Sequence, residues 1–309
     1  MSNPKLIVSS SPHIRDVDTI PRIMHTVNLS LLPAVLMAVY YFGFYALMII
    51  LTCVIFSVLT EAIWQKLRGK EITISDGSAI LTGLLLALTL PPRLPLWMAA
   101  LGAIVAISIG KQVFGGLGYN PFNPALVGRA FLLAAFSVEM TTWYLPGAGV
   151  DATSTATPLA LMKMSGQPTS YWDLFIGNIG GSLGETSALA IILGGAYLIY
   201  KGYVDYRITI GYLGTVAVLT AVFGQDPIFH LLSGGLVLGG FYMLTDMVTS
   251  PITKLGRWIY GIGAGVILVV IRLWGGYPEG VLYSILLMNM TVPLLNRYTR
   301  PRTYGEVKQ

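Results

Sequence analysis

The sequence predicts an all-α polytopic membrane protein with about ten transmembrane helices arranged as two inverted five-helix repeats. Three observations predict it. Of 309 residues, 54% are hydrophobic and only 11% charged, whereas a soluble domain carries about 25% charged residues. The mean hydropathy is +0.70, and apolar stretches recur along most of the length. One polar, hydroxyl-rich stretch, Asp151 to Leu159, sits near the middle, with five apolar spans before it and roughly as many after it. Each span is expected to be helical, because backbone groups in hydrocarbon find no water to bond.

Residues 1–22 carry Lys5, Arg15, Asp16 and Asp18 without an apolar core, and read as a cytoplasmic leader rather than a cleavable signal peptide. Residues 23–138 form the first repeat. Ile23 to Trp64 is long enough for two helices of about 20 residues each, with the break expected at Phe42-Gly43-Phe44. After the charged segment Lys66 to Glu71, a short apolar run, Ser78 to Leu90, is stopped by Pro91-Pro92. Leu94 to Gln112 is the fourth span and Pro124 to Val138 the fifth. Residues 139–171 form the hydroxyl-rich loop. Residues 172–309 form the second repeat and end in a cytoplasmic C-terminus. There the Gly-rich Leu174 to Gly184 is too short to cross and is expected to dip into the bilayer and return. Full spans are expected at Thr186–Tyr200, Thr209–Phe223, Phe229–Thr245, Trp258–Trp274 and Val281–Leu295.

With ten spans and the N-terminus inside, fifteen of the 19 Lys and Arg residues fall on the inner side. Lys66, Arg68, Lys70, Lys111, Lys201 and Arg207 are among them; Arg93, Lys163 and Arg272 fall outside. Inner positive charge sets orientation, so the 139–171 loop is extracytoplasmic. The pI near 9.2 is thereby accounted for by topology, without nucleic acid as a partner. Five spans, an outer loop and five spans make the second half run opposite to the first. Gly77 to Gly83 faintly echoes Ser233 to Gly240, each in the third span of its half, and interrupted segments in matching positions point to a site between repeats.

Within the central loop, four hydroxyl side chains occupy Thr153 to Thr157, and Pro158 biases Thr157 toward extended backbone. Two readings stand: a flexible hydroxyl-rich loop, or a threonine that carries a covalent group. Gly115 to Pro124 holds two Asn-Pro pairs. The amides of Asn120 and Asn123 suit either a heterocycle's carbonyl and imide groups or the capping of a helix start. Carboxylates near lipid are costly and suggest function or pairing. Asp246, at the end of a matched short segment, and Glu185, at a helix start, are the ion-pathway candidates. Glu61 and Asp76 read as solvated carboxylates at helix ends. Arg129 reads as a snorkelling or anion-paired residue, and His230 as structural. The single Cys53 excludes an iron–sulfur cluster or a cysteine zinc site, and no metal site is expected.

Several motifs then occur in order: Gly-Gly-Leu-Gly-Tyr-Asn-Pro-Phe-Asn-Pro-Ala from Gly115, Ser-Thr-Ala-Thr-Pro-Leu from Ser154, and Gly-Ser-Leu-Gly-Glu-Thr-Ser from Gly181. Thr-Asp-Met-Val-Thr-Ser-Pro from Thr245 and Tyr-Pro-Glu-Gly-Val from Tyr277 complete the set. Over nearly its whole length the chain resembles the family of the D subunit of the Rnf ion-translocating ferredoxin:NAD oxidoreductase and the B subunit of the sodium-pumping NADH:quinone oxidoreductase. The resemblance implies a bundle similar to ammonium and urea channels in a bacterial or archaeal cytoplasmic membrane. It implies FMN joined through its phosphate to Thr157 by a flavin transferase, with Thr155 standing where that motif usually has glycine. A second flavin, riboflavin, is implied near Asn120 and Asn123. The implied role is an electron relay with no complete active site of its own. It works among the other Rnf subunits (A, B, C, E and G) and is coupled to export of Na⁺ or H⁺. Two alternatives stay open: a channel or secondary transporter without redox role, and a component of a complex that reduces a redox-sensing regulator.

Overall fold

The structure, a computed structural model, describes residues 18–147, 154–166, 169–185, 187–277 and 279–301. Most of the leader, Asp151 to Thr153 of the hydroxyl-rich stretch, and the last eight residues lie outside these. The described residues are mostly helical, and the strands among them form one two-residue ladder.

Helices α1 (Ile20–Ser30) and α2 (Leu32–Phe42) follow one another almost directly, each with a proline in its first turn, where the missing N–H costs nothing. Gly43, at φ 73°, breaks the run where the sequence predicts, and α3 (Phe44–Leu67) returns. Next come α4 (Ser78–Leu88) and α5 (Leu96–Ile107), the latter continuing into a π-turn at Ser108–Gln112. Helices α6 (Pro124–Ala135) and α7 (Ser137–Met140) lead into the central segment. The described part of that segment holds regular structure. Strands β1 (Trp143–Tyr144) and β2 (Ser154–Thr155) pair antiparallel, and α8 (Pro158–Ser165) follows.

Only the start of the Leu174–Gly184 segment is helical, as the end of α9 (Tyr171–Ile176). The rest lies against the end of α4, where the Leu183 and Gly184 N–H groups donate to the carbonyls of Leu90 and Leu88 at 3.1 and 2.6 Å. Carbonyls at a helix C-terminus have no partner in their own helix, and this segment supplies two. The chain continues as α10 (Ala188–Tyr200), α11 (Tyr206–Val222), α12 (Pro227–Leu232), α13 (Leu236–Leu238) with a π-turn at Gly239–Met243, α14 (Lys254–Trp274) and α15 (Val281–Tyr298).

Among the described residues three helical rods are long and apolar enough to cross a bilayer: Ile20–Phe42, Phe44–Leu67 and Lys254–Trp274. Five further apolar helices have 10–17 residues. One expected span needs correction: Phe229–Thr245 is not one helix. It breaks at Ser233-Gly234, where Gly234 adopts φ 70°, leaving α12 and α13 as half-helices. An apolar run hides such a break, because hydropathy does not register a left-handed glycine.

Helix α3 packs on α4 and α5, and α5 on α6; in the second half α11 packs on α14, and α14 on α15. These contacts rely on small residues, the usual way for helices in lipid to approach closely. A Cβ built on Gly83 of α4 would stand 2.7 Å from Val54 Cα of α3. Gly83→Ala is therefore expected to lower stability by about 1–3 kcal/mol through overpacking, measured by thermal unfolding in detergent. An unchanged melting temperature would show that α3 and α4 are free to separate. Many large apolar side chains face outward, including Leu36, Ile55, Val218, Val270 and Leu294, as a lipid-facing surface requires. Contacts such as Asp18–Tyr203, Arg257–Asp205 and Lys70–Gly115 gather α1 and α14 starts with α3 and α10 ends at one basic end of the bundle. The ladder and α8 lie at the opposite end, where the Gly147 N–H donates to the Tyr41 carbonyl at 3.2 Å.

Candidate functional site

The end that carries α8 holds a cavity of about 250 Å³ lined by Arg129, Trp143, Thr157, Glu185, Glu279 and Tyr283, among others. Thr157 is the N-cap of α8. Its backbone is extended (φ −66°, ψ 156°), as a residue before proline prefers, and its Oγ1 accepts the Ala160 N–H at 3.3 Å. The side chain is nearly buried yet faces the cavity. In the ladder Thr155 pairs with Trp143. The Thr155 hydroxyl rests on Gly180, where a Cβ would stand 2.6 Å away. A larger residue in the motif is thus matched by the smallest one opposite it. Helix α8 is tied down at its far side by Lys163, whose Nζ donates to the carbonyls of Gly275 and Arg272 at the end of α14, where the helix dipole favours a cation.

Beside Thr157 lies a buried charged cluster. Arg129 on α6 pairs with Glu279, just before α15, at 2.7 Å. Glu279 also accepts the Gly235 N–H at 3.1 Å, at the break between α12 and α13. Glu185 accepts the Ser182 N–H at 3.4 Å through one carboxyl oxygen, while the other has no partner. Arg272, within the expected span Trp258–Trp274, is buried near the end of α14. It donates to the carbonyls of His230 and Ser233 at 2.6 and 2.9 Å, the groups that the helix break leaves unsatisfied. Arg129 does not snorkel; its partner is a carboxylate. His230 is buried.

At the protein surface, the Tyr171 hydroxyl donates to Asp226, the N-cap of α12. That bond pushes the Tyr171 hydroxyl pKa up. Partial burial alone would raise Asp226, but the Tyr171 hydroxyl and the Phe229 and Ile228 N–H groups outweigh it and hold the carboxyl below its usual range.

The basic end holds a second, tighter cavity of about 70 Å³ lined by Ser78, Lys111, Asn120, Tyr242 and Asp246, among others. Both π-turns meet there, one supplying Lys111 and the other Phe241 and Tyr242. Such turns often mark functional sites, since the extra residue redirects side chains. The two asparagines divide their roles. Asn123 caps α6 by accepting the Ala125 and Leu126 N–H groups, and its amide donates to the Met243 carbonyl at 3.2 Å. Asn120 donates to the Phe122 carbonyl at 3.1 Å, but its buried Oδ1 has no partner. Asp246 accepts from the Val248 N–H and the Thr249 hydroxyl at 3.3 and 3.2 Å.

Glu61, read from the sequence as solvated, is buried at 1% exposure. It pairs with Lys111 at 2.8 Å, and Lys111 also donates to the Ser78 hydroxyl at 2.6 Å. Asp76 is half-buried and holds the Ser78 N–H and hydroxyl. The structure thus places Thr157 and Glu185 at one cavity, and Asn120, Asn123 and Asp246 at the other. It adds Glu279 and the Glu61–Lys111 pair, which sequence reasoning missed. One signal was present: Ser57, Glu61 and Gln65 recur every four residues, which draws one polar face along an apolar helix.

The model of the NQR2, RnfD, RnfE family matches residues 7–305. The chain is 52% identical over 313 residues to the D subunit of the Na(+)-translocating ferredoxin:NAD(+) oxidoreductase complex of Acetobacterium woodii, covering 100% of this chain and 98% of that one. It is 48% identical over 316 residues to the D subunit of the proton-translocating ferredoxin:NAD(+) oxidoreductase complex of Clostridium ljungdahlii, covering 96% of each chain. It is 37% identical over 347 residues to the D subunit of the ion-translocating oxidoreductase complex of Escherichia coli, covering 97% of this chain and 99% of that one.

Proposed function

The chain belongs to the NQR2, RnfD, RnfE family, and on that premise we propose that it is the D subunit of an ion-translocating ferredoxin:NAD oxidoreductase complex, relaying electrons through FMN held covalently on Thr157. The observation that carries this reading is the position of Thr157, a hydroxyl at a helix N-terminus facing a cavity that an aromatic cofactor suits. A phosphodiester there meets the positive end of the α8 dipole and the Arg129 guanidinium in the cavity wall. Trp143, Tyr277 and Tyr283 supply flat apolar surface. The residues present therefore fit the group. Bound flavin supplies electron transfer that no side chain here offers; the chain's own part is to fix its place and exclude water.

To the second cavity this reading assigns riboflavin. The unpartnered Asn120 Oδ1 is an acceptor for a ring imide N–H, and Phe241 and Tyr242 offer apolar contact. Asn123 builds the wall rather than binding. Asp246 and Lys111 at the same cavity place a carboxylate and a cation where an ion on its path is sensed; Asp246 and Glu185 are the ion-pathway carboxylates of this reading. The basic end faces the cytoplasm and the Thr157 end faces outward, in accord with inner positive charge. The packing of α3 on α5 and α5 on α6, repeated by α11 on α14 and α14 on α15, supports two inverted halves of about five spans each. The flavin transferase acts in maturation, and the A, B, C, E and G subunits are the partners. The relatives from Acetobacterium woodii and Clostridium ljungdahlii are named for different ions, so identity at this level does not assign Na⁺ or H⁺.

The test is the purified complex in liposomes supplied with reduced ferredoxin and NAD⁺. Ion uptake coupled to NADH formation is expected in wild type and absent in an assembled Thr157→Ala complex. Full coupled turnover in that variant would overturn the proposal.

A further inference from the structure

The cluster beside Thr157 contains more unpartnered buried polar atoms than any other part of the described residues: Glu185 Oε1, both His230 ring nitrogens, Ser233 Oγ and Arg272 Nε. They are contiguous. Arg272 holds the carbonyls of both His230 and Ser233; Glu279 and Glu185 pack on Gly235, directly after that break, and Arg272 on Gly234. Buried polar atoms in native proteins are bonded to protein or to ordered water, so a run of orphans in a polar pocket marks a place for water. His230 stands one turn after Asp226, the N-cap that meets Tyr171 at the protein surface.

The Glu185 side chain is over nine-tenths buried. One oxygen takes the Ser182 N–H and the other has no donor. The charged and titratable groups facing it are Glu279, Arg129 and Arg272. Glu279 is already satisfied by Arg129 and the Gly235 N–H, so it stays ionised. A second buried carboxylate beside it, with an oxygen lacking any donor, is costly; a protonated acid in the same place donates instead of repelling.

We propose that Glu185 is a proton-carrying acid beside the ionised Glu279, and that water held by His230, Ser233 and Arg272 connects it to the protein surface at Tyr171 and Asp226. The inference deepens the reading of the Thr157 cavity as a site where negative charge comes and goes, and it rests on that reading for its purpose. Glu185 and Glu279 line the same cavity as Thr157. Negative charge added there strengthens the hold of Glu185 on the proton; its removal weakens that hold, and the proton leaves through the water to the surface, Glu185 becoming a carboxylate. No electron passes through the carboxyls, and one proton moves per ionisation. Arg129 keeps Glu279 from competing for the proton.

The experiment is infrared spectroscopy of the purified complex in H₂O and D₂O at neutral pH, with wild type, Thr157→Ala, Glu185→Gln and Glu185→Asp. A protonated-carboxyl stretch that shifts on deuteration is expected in wild type. It should persist in Thr157→Ala, so failure of the flavin reading does not remove it. It should be lost in Glu185→Gln and displaced in frequency in Glu185→Asp. Ser233→Ala is expected to slow the deuterium shift without abolishing the band. Absence of the band in wild type, or its survival at full intensity in Glu185→Gln, overturns the proposal. If Glu185→Gln does not assemble, an unmoved band in Glu185→Asp overturns it equally.

Discussion

Lys111→Met, with Glu61 left in place, is expected to destabilise the protein by about 3–5 kcal/mol, the usual result of stranding one member of a buried pair. Both side chains are 2% exposed. Once Lys111 is gone, Glu61 keeps only neutral donors, from Gln112 at 3.0 Å and Gln65 at 3.4 Å, while Ser78 loses a charged donor. The loss should appear as a lower unfolding midpoint in detergent. Adding Glu61→Gln to Lys111→Met should restore much of it, because two neutral groups of similar size leave no uncompensated charge, and the double-mutant cycle should show strong coupling. Additive, small losses would mean that water reaches the pair and screens it. Lys111 also lines the cavity that we assign to riboflavin, so the single substitution is expected to disturb that site as well as stability.

The second large effect is on Thr157. Thr157→Ala should abolish the flavin fluorescence that stays with the polypeptide through denaturing electrophoresis, because no other hydroxyl occupies this position at the α8 N-terminus. The same substitution removes an N-cap acceptor, which costs about 1 kcal/mol, too little to unfold the protein and explain the loss by itself. Thr157→Ser retains both the hydroxyl and the cap. It should keep native stability, and any flavin it gains should also survive denaturation. Fluorescence retained in Thr157→Ala would move the attachment to another hydroxyl. The nearest alternative, Thr155, has its hydroxyl buried against Gly180 and is shielded from an attaching enzyme.

Local signals in the sequence carried well. Gly43 breaks the first apolar run because only its left-handed backbone lets α3 turn back, and the extended backbone at Thr157 follows from Pro158. Asn123 before Pro124 makes a capped helix start. Long-range pairings were not legible. Glu61 and Lys111 lie 50 positions apart and Arg129 and Glu279 150 apart; nothing in either neighbourhood names the other. Hydropathy treated Phe229–Thr245 as one span, although its polar cost is met by Arg272 from a distant helix. The π-turns at Ser108–Gln112 and Gly239–Met243 were equally hidden, since one extra residue per turn leaves an apolar run apolar. Sites built by a single segment were therefore visible, and sites assembled by the fold were not.

The attachment itself is tested most directly by the intact mass of the protein, purified from a host that makes the flavin transferase, followed by the mass of the peptide spanning Ser154 to Ser165. The account predicts an increment equal to FMN less one water, located on Thr157. An unmodified mass from that host would contradict it.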